Sequence, residues 1–419
     1  MLFVCFLDAK TFYVQDTWTK DQFTVNAGVR AEEWTHFDSK GDQSAKFEWK
    51  FAPRLSTVYD YSGKGTGKVW AFAGRYYDPI RTNMADFAGN LTGPILDEQV
   101  YLGDKWLTFR TRGGPKTPDA LFSPSTETPY TDEFMLGWAT NLTKDVTLSA
   151  SYTKRWTKNI LEDYDLGLYS DPTLTTATAG EGYAPPGSKY YLPYSYFGYA
   201  SAPNSNYVLG TLAGGQRDYQ GIEISLSKQK SDKWQGSVSY TYNDAHGNTN
   251  SDSNADYQGD WVALDPRAPN AYGPQPGNIK HQIKAFGTYF MDNGFEVSGV
   301  FNWNSGVLYS TTQLIGGRNL PVMGDASNDN GAVDTWILPN SIGSNTGPSY
   351  YTLDMRFKYT QKFGSSNKAE LFLDVFNLLN KQSPTSEMPI LAGSGAYKFG
   401  DANDWVQPRR FYVGARYSF

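Results

Sequence analysis

The side chains best able to do chemistry are few and far apart in this sequence. It holds one cysteine, Cys5, and three histidines, His36, His246 and His281. A lone thiol excludes an intramolecular disulfide framework, and histidines this dispersed offer no metal-ligand spacing. No G-x-S-x-G, H-E-x-x-H or phosphate-cradling P-loop occurs. The adjacent carboxylates Asp132–Glu133 and Glu162–Asp163 would, on a strand, point to opposite faces, which suits no general acid/base pair. The stretch DSNADYQGD (Asp252, Asn254, Asp256, Asp260) opens like a calcium loop, but Tyr257 stands where glycine is needed and Ala263 where the closing glutamate belongs. GDASNDNGAVD, around Asp325 to Asp334, is equally incomplete. Both read as solvated external loops, and no enzyme, metal or cofactor is expected.

One stretch does suggest binding. EGYAPPGSKYYLPYSYFGYA carries Tyr183, Tyr190, Tyr191, Tyr194, Tyr196, Phe197 and Tyr199. Aromatic rings offer large contact area at low entropic cost, so these could face a sugar, peptide or chelate. A long connection must also pack on something, and the same rings would serve. Both readings stand at this stage.

The elements that must position these residues are strands. WQGSVSYTYN sets Trp234, Gly236, Val238, Tyr240 and Tyr242 against Gln235, Ser237, Ser239, Thr241 and Asn243. VTLSASYTKRW and YTLDMRFKY alternate in the same way, which is the period of a strand with one apolar face. Thirteen windows are predicted as strands: 12–18, 22–31, 49–60, 67–77, 130–140, 146–156, 217–228, 234–244, 280–290, 295–304, 350–360, 368–377 and 410–419. In AELFLDVF, within 368–377, apolar residues fall on both faces. No comparable window has a 3.6-residue period, so the chain reads as all-β.

Strands this long exceed the five or six residues usual in soluble sheets and match the roughly 9–11 needed to cross a bilayer. Aromatics such as Trp156, Tyr240, Tyr242, Trp303 and Tyr417 gather toward strand ends, where interfacial girdles sit. Connections alternate between short (19–21, 61–66, 141–145, 229–233, 291–294, 361–367) and long (32–48, 78–129, 157–216, 245–279, 305–349, 378–409). That parity is the layout of an antiparallel up-and-down transmembrane barrel with short periplasmic turns and long external loops. Val238 and Leu148 then face lipid, and Ser239 and Ser149 face inward with Glu223, Asp354, Arg356, Lys358 and Arg416. The balance of 37 Lys+Arg against 43 Asp+Glu gives no basic surface for nucleic acid. The final strand RRFYVGARYSF places Phe411, Val413, Tyr417 and Phe419 on one face and ends on a bare phenyl ring.

Several pieces, in this order, resemble the β-barrel of TonB-dependent outer-membrane transporters: FYVQDTWTKDQFTVNAGVRAE (12–32), YTDEFMLGW, RDYQGIEISL, WQGSVSYTYNDAHGN, LFLDVFNLLNK and the closing RRFYVGARYSF. The spacing of the pieces and DYQGIEISLSK resemble the Oar-like, carboxypeptidase-regulatory-domain branch. The resemblance implies a Gram-negative outer-membrane protein for energy-coupled uptake of a nutrient, with lipid, the β-barrel assembly machinery and the TonB complex as partners. It implies that Phe411, Val413, Tyr417 and Phe419 form an assembly signal. The family barrel has about 22 strands around a plugged lumen. Residues 1–419 are therefore expected to be its C-terminal part, thirteen or fourteen strands without leader, TonB box or plug, with 2–7 as a possible fourteenth strand and the wall open or forced into a smaller barrel. A passive porin-like or fatty-acid-type barrel and a secreted β-rich adhesin or glycan-binding protein are the alternative readings.

Overall fold

The computed structural model describes residues 6–38, 41–78, 96–101, 103, 105–112, 120–173, 186–205, 207–249, 266–267, 271–316, 333–338, 340–364, 367–393 and 395–419. Thirteen strands succeed one another in a single antiparallel sheet, each hydrogen-bonded to its neighbours in sequence. They are β1 (Phe6–Lys20), β2 (Phe23–Phe37), β3 (Gln43–Tyr59), β4 (Gly67–Tyr77), β5 (Tyr130–Asn141), β6 (Val146–Lys158) and β7 (Arg217–Ser231). There follow β8 (Trp234–Gly247), β9 (His281–Phe290), β10 (Phe295–Asn304), β11 (Tyr350–Phe363), β12 (Asn367–Phe376) and β13 (Arg410–Ser418). A two-residue strand, Gly273–Pro274, adds to the end of β8. Among the described residues β1 pairs only with β2 and β13 only with β12, so the sheet is open along two edges.

Every predicted strand window falls within one of these strands or within a residue or two of it. Two expectations need correction. The segment 32–48 is not a long loop: β2 and β3 stay paired through it, with register shifts after Glu32 and after His36, Trp34 opposite Phe47 and His36 opposite Ala45. Trp34, His36 and Phe47 share the inward face of the arm and give the extra strand length something to pack against. Nor do Phe6 and Leu7 begin a separate strand; both belong to β1, opposite Phe37 and His36. Residues 2–5 lie outside the described residues.

The register fixes two faces. One row across the sheet reads Leu148, Leu226, Val238, Ala285, Phe301, Leu353, and the next reads Ser149, Ser225, Ser239, Lys284, Asn302, Thr352. On the apolar side Leu371 is 58 % and Val413 81 % exposed, so among the described residues this face has no protein cover there and needs an apolar medium. A sandwich would bury it.

The other face pairs its own charges. Arg356 grips Asp374 through Nε and Nη2 at 2.5 and 2.7 Å, Lys358 meets Glu296 at 2.8 Å, and Asp354 accepts the Asn377 N–H at 2.7 Å. Glu223 lies between Ser151 and Thr241, and Arg416 lies opposite Glu370. Aromatic rings also lie flat against this face, Trp70 over Gly137 and Phe372 over Gly414, where a β-carbon would collide with the ring. Glycine is needed there for close approach, and the ring covers the gap it leaves. This accounts for the mixed pattern of AELFLDVF, since inward Phe372 belongs to such a pair.

Tight turns close the other end. Asp21 and Asp232 take left-handed φ values of 53°, tolerable for Asp, in the two-residue turns after β1 and β7. Asp60 holds the β3–β4 turn by accepting N–H bonds from Ser62, Gly63 and Gly65 at 3.0, 3.1 and 2.7 Å.

The face assignment yields a direct test. Arginine on a lipid-facing midplane site costs about 2–4 kcal/mol, whereas inward substitutions are tolerated. Val238→Arg should therefore reduce outer-membrane yield of the full-length protein well below that of Ser239→Arg, as read from membrane fractions. Equal yields, or a lower yield of Ser239→Arg, would overturn the face assignment.

Candidate functional site: a loop module at the mouth

The long connections after β4 and β6 fold together. Leu161–Asp165 pairs antiparallel with Tyr207–Thr211, and Ala120–Phe122 adds to it in parallel. A short helix, Leu166–Tyr169, and a 3₁₀ turn, Tyr194–Phe197, complete the module. Its core is aromatic. Phe197 is wholly buried, its ring 4.9 Å from Tyr164, and Tyr164 lies 5.2 Å edge-on to Tyr169. The buried Tyr164 hydroxyl is satisfied by the Ala213 N–H at 2.7 Å. Gly198 ends the 3₁₀ turn at φ 80°, and a β-carbon there would press on Pro124 and the Ser125 backbone. The Ser123 and Ser125 hydroxyls donate to the Phe197 and Tyr196 carbonyls at 2.8 and 2.6 Å, stitching the two connections together.

The tyrosine-rich stretch thus divides. Phe197 belongs to the packing core. Tyr196 and Tyr199 are half-buried and donate to the Thr211 and Phe122 carbonyls at 2.9 and 3.3 Å; burial pushes the Tyr199 hydroxyl up to about 12. Tyr191 is half-buried with its hydroxyl toward the Ser170 carbonyl. Tyr190 and Tyr194 lean on the core, and among the described residues their hydroxyls make no hydrogen bond. The Arg267 guanidinium donates to the Tyr190 carbonyl at 2.9 Å and lies 5.6 Å from the ring. Tyr183 lies outside the described residues.

The module docks onto the β2–β3 arm. Inward positions of β2 continue as Arg30, Glu32, Trp34 and His36. A register shift between Glu32 and Trp34 inserts an extra residue in β3, bringing Phe47 to the same face as Lys50, Ala52 and Arg54. Trp34 and Phe47 then pack with Phe122, Leu161 and Leu209 of the module. Because this is the inward face, the module sits over the mouth of the wall. Lys50 and Glu127 add an ion pair at 3.1 Å. His36 is 1 % exposed between Phe47 and Phe122, ring centroids 6.0 and 5.9 Å away, and neither ring nitrogen finds a partner. Burial pushes it down to about 4. Sequence reasoning missed this anchor; the one available signal was the continued alternation of Trp34 and His36 beyond the predicted strand end.

Two other predicted features can be located. Among the described residues no group of His, Cys, Asp and Glu could hold a metal ion. The 252–260 stretch and residues 325–332 lie outside the described residues. Asp132 and Glu133 do point to opposite faces, the first to Arg75 at 2.7 Å and the second to Arg155 at 2.5 Å. Phe411, Val413, Tyr417 and Phe419 run along the exposed outward face of edge strand β13, Phe419 95 % exposed and stacked on Tyr417 at 6.3 Å.

Residues 6–378 match the family model described as TonB dependent receptor-like, beta-barrel. The chain belongs to that family. It is 23% identical over 427 residues to the TonB-dependent transporter Oar of Myxococcus xanthus, a match covering 88% of this chain and 35% of Oar. The structure is similar to the outer membrane transporter YddB of Escherichia coli, with TM-score 0.56 and 12% identity over 99% of this chain and 54% of that one. The ferripyoverdine receptor of Pseudomonas aeruginosa, solved bound to ferripyoverdine, gives TM-score 0.53 and 13% identity over 100% of this chain and 39% of that one. The chain thus spans about a third to a half of the lengths of these relatives. Family membership makes it an outer-membrane protein of a Gram-negative bacterium, of a transporter and receptor family rather than an enzyme class.

Two outcomes test the module. Phe197→Ala should cost about 3–5 kcal/mol through the cavity it leaves, seen as fast hydrogen exchange across 161–169 and 207–211 while the wall strands stay protected. For His36 the undocked imidazole takes up a proton near pH 6.5 and the docked one only near pH 4. Docking therefore weakens as pH falls through that window, by about 1.4 kcal/mol per unit, and is constant above it. His36→Phe should flatten this dependence in limited proteolysis of the module between pH 7 and 4.

Proposed function

We propose that this chain is wall and outer mouth of a transporter that takes up a scarce nutrient, a chelate, oligosaccharide or peptide, with work delivered through the TonB complex. The observation that carries the reading is the docking of the aromatic module on the inward face of the β2–β3 arm, over the entry. A ligand arriving from outside meets this module first. Tyr190 and Tyr194, whose hydroxyls make no hydrogen bond among the described residues, are the contacts proposed for it, with Tyr191, Tyr196 and Tyr199 framing them; Phe197 holds the shape. Family membership and the similarity to Oar, a TonB-dependent transporter, support the coupling, and the similar fold of a receptor solved with ferripyoverdine bound supports a chelate among the candidate nutrients.

In the full-length protein, Tyr190→Ala with Tyr194→Ala should weaken ligand binding on the order of tenfold or more, the loss of two aromatic contacts, while outer-membrane yield is unchanged. Uptake by cells should cease when the proton gradient is dissipated. Uptake that continues without the gradient would instead favour a passive barrel.

The terminal strand is proposed to be read by the β-barrel assembly machinery through Phe411, Val413, Tyr417 and above all Phe419. Burying one ring is worth about 1.5–3 kcal/mol, too little to unfold a large barrel. Deleting Phe419 should nevertheless cut outer-membrane insertion far more than Phe411→Ala, which removes a ring from the same face. Equal insertion of both variants would reduce Phe419 to one more ring of the girdle.

A further inference from the structure

The long connections after β10 and β12 form a second loop module. Leu308–Tyr309 pairs antiparallel with Asn345–Thr346, Thr312–Gly316 with Val333–Ile337, and Pro384–Glu387 with Ala402–Trp405. The two connections are stitched together at Thr312. Its N–H donates to the Pro389 carbonyl at 2.8 Å, and its carbonyl accepts the Leu391 N–H at 2.7 Å. Leu308, Ile342 and Met388 are buried in these segments.

At the seam stands a carboxyl group that nothing balances. Glu387 is 8 % exposed and, among the described residues, has neither a hydrogen bond nor an ion pair. It belongs to the connection after β12, yet its carboxyl fills the space in front of Gly347, in the connection after β10. A β-carbon on Gly347 would collide with all three atoms of that carboxyl, so glycine is needed there to seat it. The groups able to tune its charge are few. Tyr309 faces it from the first connection, its hydroxyl pushed up by burial and by the charge of Glu387. Segment 345–347 brings no titratable side chain, and neither do the other residues of 384–388. The strand opposite and the turn before it carry Lys398, Asp401 and Asp404, all exposed. Asp401 accepts the Lys398 backbone N–H at 2.7 Å and Asp404 the Trp405 N–H at 2.9 Å. Burial therefore dominates, and it pushes the Glu387 carboxyl above the usual carboxylate range. Enclosing a carboxylate with no cation is costly, and a proton removes the charge.

We propose that Glu387 is an acid latch: taking up a proton there closes the seam between the two connections, while taking up a proton at His36 loosens the module docked on the β2–β3 arm. The two loop modules then answer acid in opposite senses. An open Glu387 carboxyl ionises near pH 4.5 and the closed one at higher pH. The closed seam is thus strongest below about 4.5, weakens as pH rises through the closed value, and is constant above it. The His36 joint weakens instead as pH falls from 6.5 toward 4. Acidification from pH 6.5 to 4.5 therefore shifts order from the first module to the second. The inference goes beyond the transport reading and does not depend on it, because neither titration needs a ligand or the TonB complex.

The test is hydrogen exchange of the full-length protein in detergent, each peptide's rate divided by its intrinsic rate at the same pH. Protection of 307–312 and 384–391 should rise severalfold as pH falls from 7 to 4.5. Protection of 161–169 and 207–211 should fall over the same range. Glu387→Gln keeps the shape and cannot ionise, so it should hold 307–312 and 384–391 at their acid level at every pH. Glu387→Met serves if the amide is poorly accommodated. His36→Phe should leave the rise in the second module intact. A rise that persists in both Glu387 variants would place the acid response elsewhere and overturn the proposal. So would protection of 307–312 and 384–391 that ignores pH or falls in acid, or two modules that tighten together.

Discussion

A backbone N–H or C=O in hydrocarbon has no water to bond, and leaving one unpaired costs several kcal/mol. The thirteen-strand ladder answers that constraint, and much else follows from it. Each strand must be long enough to carry the ladder across the apolar layer, so the alternation of side chains persists for nine residues or more. Each turn on the narrow side must reverse the chain without wasting pairs, which is why Asp21 and Asp232 sit at left-handed angles in two-residue turns. The same constraint makes the free edges β1 and β13 the places where another strand has most to offer.

How much of this was legible in the sequence depended on whether lipid or the chain itself set the pattern. Strands 67–77 and 295–304 were read to the residue, because one face meets hydrocarbon and the other does not, and nothing local competes with that alternation. The β2–β3 arm was misread for the complementary reason. Past Ala31 the chain leaves the membrane, both faces of the hairpin carry bulky or charged groups, and the outward side trades lipid for ion pairs such as Lys46–Glu33 at 3.2 Å. The pattern there is set by contact with a loop module some hundred residues further on, and spacing within one window carries no trace of it. The division of labour among the tyrosines was hidden for the same reason: the burial of Phe197 depends on Tyr164 and Val208, far from it in sequence.

The inner face follows a different rule from the outer one. Its charges are satisfied largely across neighbouring strands, as in Arg356–Asp374 and Arg155–Glu133, and its large rings lie along glycine backbone. Both habits keep side chains close to the wall. An ion pair that spans adjacent strands bridges the ladder's own spacing of about 5 Å, so it needs no third body to hold it. Asp354, Arg356 and Lys358, expected from the alternation to face inward, do so with partners within the wall.

Above the membrane the ladder no longer dictates, and shape comes from an aromatic core instead. That core is expensive to disturb in one respect and cheap in another. Removing Phe197 would open a cavity among rings packed at 4.9–5.2 Å, whereas Tyr190 and Tyr194 are only half-buried at its edge. His36 belongs to the costly class: an imidazole held neutral between Phe47 and Phe122 loses its two hydrogen bonds to water and gains none. A phenyl ring would fill that place at lower cost, so packing alone gives no reason for histidine there. What histidine adds over phenylalanine is a proton-binding site at the joint between wall and module, and acid can therefore change the strength of that joint.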